Sequence, residues 1–144
     1  MNKSLPNKWI RKAIFQALNN IVVDGETIPC YVINVSGDSR PNHYTLISTQ
    51  SNIVEKANKC EYFWDSDVLI DINSIYQSGG NTGRSVTTDN ITDEVRRLTD
   101  SIVLDPSSGL EVITQTQSFP NNLSTHTDNQ IINRNFVRIT MRIK

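Results

Sequence analysis

The chain lacks most of the features that announce a chemistry. It has only two cysteines, Cys30 and Cys60. They are too few and too far apart for a CxxC pair or a disulfide framework. Each lies near aromatic residues (Tyr31; Tyr62 and Phe63), the setting of a reduced, partly buried thiol. Histidine is as scarce. His43 and His126 are the only two, both in polar stretches that read as exposed loops, and no serine or cysteine stands in a nucleophile motif. No sign of charge prevails: 14 Lys and Arg face 15 Asp and Glu, a net charge of -1. A global attraction to nucleic acid or anionic lipid is therefore absent, and any such binding requires a local patch. No apolar run approaches the roughly 20 residues of a membrane-spanning helix. The first apolar stretch is interrupted by Arg11, Lys12 and Gln16, so a signal peptide is not expected. The sequons at Asn90 and Asn122 carry no weight without secretion.

What remains is an ordinary globular composition. The 144 residues are 37% hydrophobic and 20% charged, more apolar and less charged than a disordered chain. That length suits one domain with one sizeable core. No repeat or linker divides it, so residues 1–144 are read as a single unit.

Apolar residues at three- and four-residue steps, Ile10, Ala13, Ile14, Ala17 and Leu18, predict a helix over 7–20, with Ser4 as a cap and Pro6 in its first turn. Asp24-Gly25 signals a turn after Ile21-Val22-Val23. Ile28 to Val35 reads as a strand whose beginning, at Pro29, is an edge or a bulge. Residues 37–42 are a loop and Tyr44 to Thr49 a strand, with 50–58 a loop or helical turn. Residues 59–73 alternate: Tyr62, Trp64, Val68, Ile70 and Ile72 on one face, Glu61, Asp65, Asp67 and Asp71 on the other with Phe63 and Leu69. This predicts a half-buried strand with an acidic outer side. A Gly-rich loop spans 77–90. A second helix follows at about 91–104, striped by Ile91, Val95, Leu98 and Ile102 and capped by Asn90 or Thr92. After a turn at Pro106 to Gly109 come a strand (Leu110 to Phe119), a polar loop over 120–130 and a final strand over 131–143. In that strand Val137, Ile139, Met141 and Ile143 alternate with Arg138, Thr140 and Arg142, and Arg134 and Lys144 share the polar face. The expected class is α+β, a largely antiparallel sheet with two helices packed on one face.

Four constellations are candidates for function. Asp65, Asp67 and Asp71 share one strand face, as oxygen ligands of Mg²⁺ do, but lack the nearby Lys or further carboxylate of a nuclease. The loop from Gly79 and Gly80 to Gly83, Arg84 and Ser85 has the glycines of a phosphate-binding loop. Its spacing is one residue short, Arg replaces Lys, and no helix is predicted to start directly after it. The two histidines offer no triad in sequence. The last strand sets Arg134, Arg138, Arg142 and Lys144 along about 30 Å at roughly 3.3 Å per residue. Such a stripe suits nucleic-acid phosphates or an acidic strand face, within one sheet or between subunits. Opposed acidic and basic surfaces also permit head-to-tail stacking into a ring. No cofactor is called for and no enzyme is expected.

The order of elements resembles a known family. An amphipathic helix from Trp9 to Leu18 leads to a hairpin and a Pro-containing strand pair. A long strand (DSDVLIDINSIY), a glycine-bearing loop and a helix (ITDEVRRLTDSI) follow. A strand, a polar loop and a terminal strand (NFVRITMRIK) close the chain. This resembles the tail completion, or tail terminator, proteins of tailed bacteriophages and related small neck proteins. The resemblance implies a virion structural protein of the neck or tail, assembled in the host cytoplasm. It implies a six- or twelve-fold homomeric ring that meets portal, adaptor or tail-tube proteins, with DNA passing through its lumen and no membrane involved. It carries no catalytic residue. Regionally it implies docking or lumen loops at 77–90 and 120–130, with Gly79, Gly80, Arg84, Asn122 and His126. It implies subunit contacts through the charged strand faces, with Asp65, Asp67, Asp71, Arg134, Arg138 and Arg142. Two other readings stand beside it: a nucleic-acid-binding accessory protein using the basic strand, and a metal-dependent enzyme using the three aspartates.

Overall fold

The computed structural model describes residues 5–32, 41–56, 62–77, 86–120, 122–126 and 130–144. The first helix, α1 (Asn7–Leu18), buries Ile10, Ile14 and Leu18 completely. These lie at i, i+4 and i+8, one helical face. Pro6 is its N-cap and makes no side-chain cap bond. The helix stops two residues before the predicted end: Asn19 turns extended at ψ 126° and Asn20 left-handed at φ 59°, a conformation that asparagine tolerates. A hairpin follows, β1 (Ile21–Val23) and β2 (Glu26–Ile28), paired Val23 to Glu26. Its two-residue turn holds Asp24 and Gly25 both at positive φ, 52° and 80°. That combination matches the right-handed twist of the flanking strands.

The main sheet runs β3 (Cys30–Val32), β4 (His43–Lys56), β5 (Tyr62–Gln77), β8 (Gln130–Ile143) and β6 (Val112–Ser118). A short strand, β7 (Leu123–His126), lies beside the beginning of β8. Only β3 and β4 are parallel; every other neighbouring pair is antiparallel. Pro29 stands just before the edge strand β3, where its missing N–H costs no ladder bond, and its carbonyl accepts from the Thr45 N–H at 3.0 Å.

Several predicted boundaries move. Residues 50–56, read as a loop or helical turn, continue β4, because a polar sequence suffices where β5 supplies a partner for every residue to Lys56. The polar loop 120–130 contains β7. The second helix, α2 (Val86–Leu98), starts five residues early, so Asn90 and Thr92 are interior positions rather than caps. Its buried stripe begins at Thr88, which hydropathy does not mark; Ile91 and Val95 continue it. Thr92 donates to the Thr88 carbonyl at 2.8 Å and Thr99 to that of Val95 at 2.7 Å.

Both helices lie against one face of the sheet. On that face Val68 stands opposite Ile139 and Ile70 opposite Val137 and Ile47, all at 2% exposure or less. They join Ile10, Ile14, Ile91 and Val95 in one hydrophobic cluster. Polar side chains of the same face tie the helices down. Asn135 donates to Asp89 and Thr92 of α2. Gln50 donates to the Asn7 carbonyl, and Asn52 bonds to the Asn7 side chain. The crossing after α2 is clamped by β6: Gln115 accepts from the Ile102 N–H and donates to the Thr99 carbonyl.

Removing buried methylenes from this cluster carries both a transfer and a cavity cost. Ile70→Ala is expected to lower stability by about 2–5 kcal/mol in urea unfolding.

A second tie joins α1 to the turn before β6. Asp105 accepts from Lys12 at 2.7 Å and from the Ser107 backbone and hydroxyl at 2.9 and 2.8 Å. The Lys12 ammonium, then the Ser107 donors, hold its carboxyl well below the ordinary range. A depressed acid stabilises the fold above its unfolded value of about 3.9 and loses that contribution as the pH falls below it. The stability difference between the native chain and Asp105→Asn, measured in urea, is therefore expected to be constant near neutrality and to shrink as the pH falls below about 4.

Candidate subunit-contact face

The opposite face of the sheet carries the charges. The β5–β8 register sets Asp65 opposite Arg142, Asp67 opposite Thr140, Leu69 opposite Arg138 and Asn73 opposite Arg134. The predicted acidic and basic faces are thus neighbouring strands of one surface, not two separate surfaces. Arg134 holds Asp71 through two bonds, Nη2 to Oδ2 at 2.5 Å and Nε to Oδ1 at 3.3 Å. Arg142 holds Asp65 at 3.2 Å. Asp67 accepts instead from the Thr140 hydroxyl at 2.6 Å. Of the six charged candidates, four are engaged in ion pairs within the chain. Among the described residues Arg138 has no ion-pair partner. It borders a hollow of about 120 Å³ together with Ser51, Asp67 and Leu69.

Burial divides these pairs. Asp71 is 2% exposed, which corrects its assignment to an outer acidic side. A carboxylate at such a position requires a bonded cation, and the Asp71 hydrogen bond in turn pushes the Arg134 pKa up. Asp65 and Arg142 are 43% and 38% exposed at their side chains, in the regime where an ion pair contributes little. Each of the two paired arginines also lies over an aromatic ring, Arg134 over Phe136 and Arg142 over Phe63, both at 5.2 Å. Planar guanidinium suits that stacking.

Toward the chain end of β8 the face is wet. Thr49, Ser51 and Ile53 of β4 are exposed, as are Thr114, Thr116 and Ser118 of β6 and Arg138 and Thr140 of β8. No described helix covers this part.

The histidines depart from expectation. His43 is not an exposed loop residue; it opens β4, is 9% exposed, and stands opposite Ser74. Its Nδ1 is 2.8 Å from the Ser74 hydroxyl, and its Nε2 is 3.4 Å from Glu26. The fold thus assembles a Ser–His–Glu chain that the sequence conceals, since its members lie on three strands. Ser74 is fully buried, so its hydroxyl is closed to a substrate, and the trio spans β5, β4 and the β1–β2 hairpin. His126 belongs to β7, opposite Ile131, rather than to a loop. Cys30 is buried, and desolvation pushes its thiol pKa up against the opposing Thr45 hydrogen bond, which agrees with an inert thiol.

Asn122 is exposed just before β7. Gly79, Gly80 and Arg84 lie outside the described residues, as does Cys60. Among the described residues, no three His, Cys, Asp or Glu side chains group to hold a metal ion.

The two charge pairs have different expected weights. Arg134→Met leaves the Asp71 carboxylate buried without its cation. The expected loss is about 2 kcal/mol, below the roughly 3–5 kcal/mol of a fully buried pair because the Arg134 side chain is partly exposed. Asp65→Asn should cost under about 1 kcal/mol. Urea titrations of the two variants would show this order; equal losses would contradict it.

The chain matches no protein-family model and no curated protein.

Proposed function

We propose that the chain is a structural subunit of a bacteriophage neck or tail, forming a homomeric ring that joins or terminates the tail at the head connector. The observation that carries this reading is the half-sheet left without a helix. It is a surface of hydroxyls and balanced charge, on a domain whose order of elements resembles that of the tail terminator proteins. Such a surface is equipment for contact with other chains. The reading entails no catalysis. Asp71 and Asp65, which a metal site would need, are held by arginines, and the buried Ser74 offers no nucleophile.

The same geometry weighs against nucleic-acid binding by the last strand. Two of its arginines face aspartates of the same chain, so the stripe presents far less free positive charge than its sequence suggests. The ring reading keeps DNA as a passenger through the lumen rather than a ligand. No helix of the described residues is long and apolar enough to cross a membrane.

Native mass spectrometry of the chain, alone and mixed with the portal and tail-tube proteins of the same virus, tests the proposal. A six- or twelve-fold oligomer, or a stoichiometric ring on the tube, is the expected result. A chain that stays monomeric in every mixture would overturn it.

A further inference from the structure

Beyond the short strand β3, β4 and β6 line the two sides of the main sheet, and β4 holds its one acid and its one lysine at its end, Glu55 and Lys56. From Tyr44 to Val54 there is no charged residue, proline or glycine, and from Val112 to Phe119 there is none either. Edge strands of monomeric proteins are usually protected by lysine, proline, a bulge or a covering element. Here β3 covers β4 only at Thr45 to Ile47. The bulges fall at Ser48 and Ile113, and regular strand is left beyond each. Among the described residues, the outer edges of Thr49 to Lys56 and of Thr114 to Ser118 have no strand partner. Apolar side chains stand at both: Ile53 is 67% exposed, Val54 45% and Ile113 45%.

The two open edges lie at the same level of the sheet. One row of paired residues runs from Ser51 through Asp67 and Thr140 to Thr116, and the next from Ile53 through Asp65 and Arg142 to Thr114. Their directions also fit. Three successive antiparallel pairings separate β4 from β6, so the two run opposite ways. A rotation about an axis along the strands, placing the next copy's β4 beside β6, therefore makes an antiparallel ladder, the more stable kind. This contact is head to tail, the kind that closes into a ring where the rotation between neighbours permits.

We propose that β4 of one subunit pairs edge to edge with β6 of the next, so that the sheet continues from subunit to subunit around the ring. The occupant of each open edge is a second copy of this chain, and the inference rests on the ring reading above. The charges stay out of the ladder itself where the two edges meet, because Thr49 to Val54 and Thr114 to Ser118 hold no charged residue.

Two variants test it, each placing lysines on one edge at exposed positions: Ser51→Lys with Ile53→Lys on β4, and Thr114→Lys with Thr116→Lys on β6. Circular dichroism and thermal melting establish that each remains folded. In native mass spectrometry under the conditions where the unaltered chain closes, with tube protein if that is required, each variant alone should lose at least tenfold of its ring. Mixed one to one, they should give a heterodimer, because each retains the edge that the other needs. Rings that persist in both variants would overturn the edge pairing and leave the ring reading standing. Self-dimers of the β6 variant alone would show β4 pairing with β4 and overturn it as well. An unaltered chain that never associates would overturn both.

Discussion

The antiparallel ladder between β5 and β8 is the constraint on which the rest of the molecule depends. It runs unbroken from Trp64 opposite Ile143 to Gln77 opposite Gln130. With a side-chain period of two, this register fixes two surfaces together. The even residues of β5 and the odd residues of β8 supply the apolar floor on which α1 and α2 rest. Their alternates bring aspartates and arginines within bonding distance. Hydrophobic burial on the first face provides the stabilisation, at about 1.5–3 kcal/mol for each fully buried aliphatic side chain. The charge ladder on the second face does not: its exposed members contribute little, and its buried pair is sensitive mainly to the loss of one partner.

That division separates stability from recognition. The face that holds the domain together is covered by the helices, and the part of the other face that no described helix covers is polar and balanced in charge. A surface of this kind resists nonspecific hydrophobic association, while the ends of the sheet remain able to form backbone hydrogen bonds. In the proposed ring, specificity between subunits comes from strand direction, level and length, which are properties of the whole sheet rather than of single side chains.

The sequence made much of the fold legible. The i, i+4 stripe of Ile10, Ile14 and Leu18 marked α1, and the Asp24-Gly25 pair marked the hairpin. The alternation of Val137, Ile139, Met141 and Ile143 marked β8, every one of these residues being buried. What failed depended on partners distant in sequence. Residues 50–56 have no strand pattern of their own and are extended because β5 lies beside them. Thr88 is a helix core residue by position, not by hydropathy. The charged candidates were correctly assigned to strands, yet their meaning lay in pairing. Nothing local tells Asp71 that Arg134 is its neighbour, and nothing local makes His43 a buried link between Ser74 and Glu26. Arg138, one of four basic residues on its strand face, was indistinguishable from its bonded neighbours until the register was known.

The length of the β5–β8 ladder also limits how this chain can evolve. A single inserted or deleted residue within either strand would exchange the two surfaces beyond that point, sending aspartates toward the helices and isoleucines into water. The ladder contains no bulge to absorb such a change, whereas β4 and β6 each already carry one. Length variation among chains of this fold should therefore concentrate in the turns and in the two bounding strands, with the central pair preserving its residue count even where its identities drift.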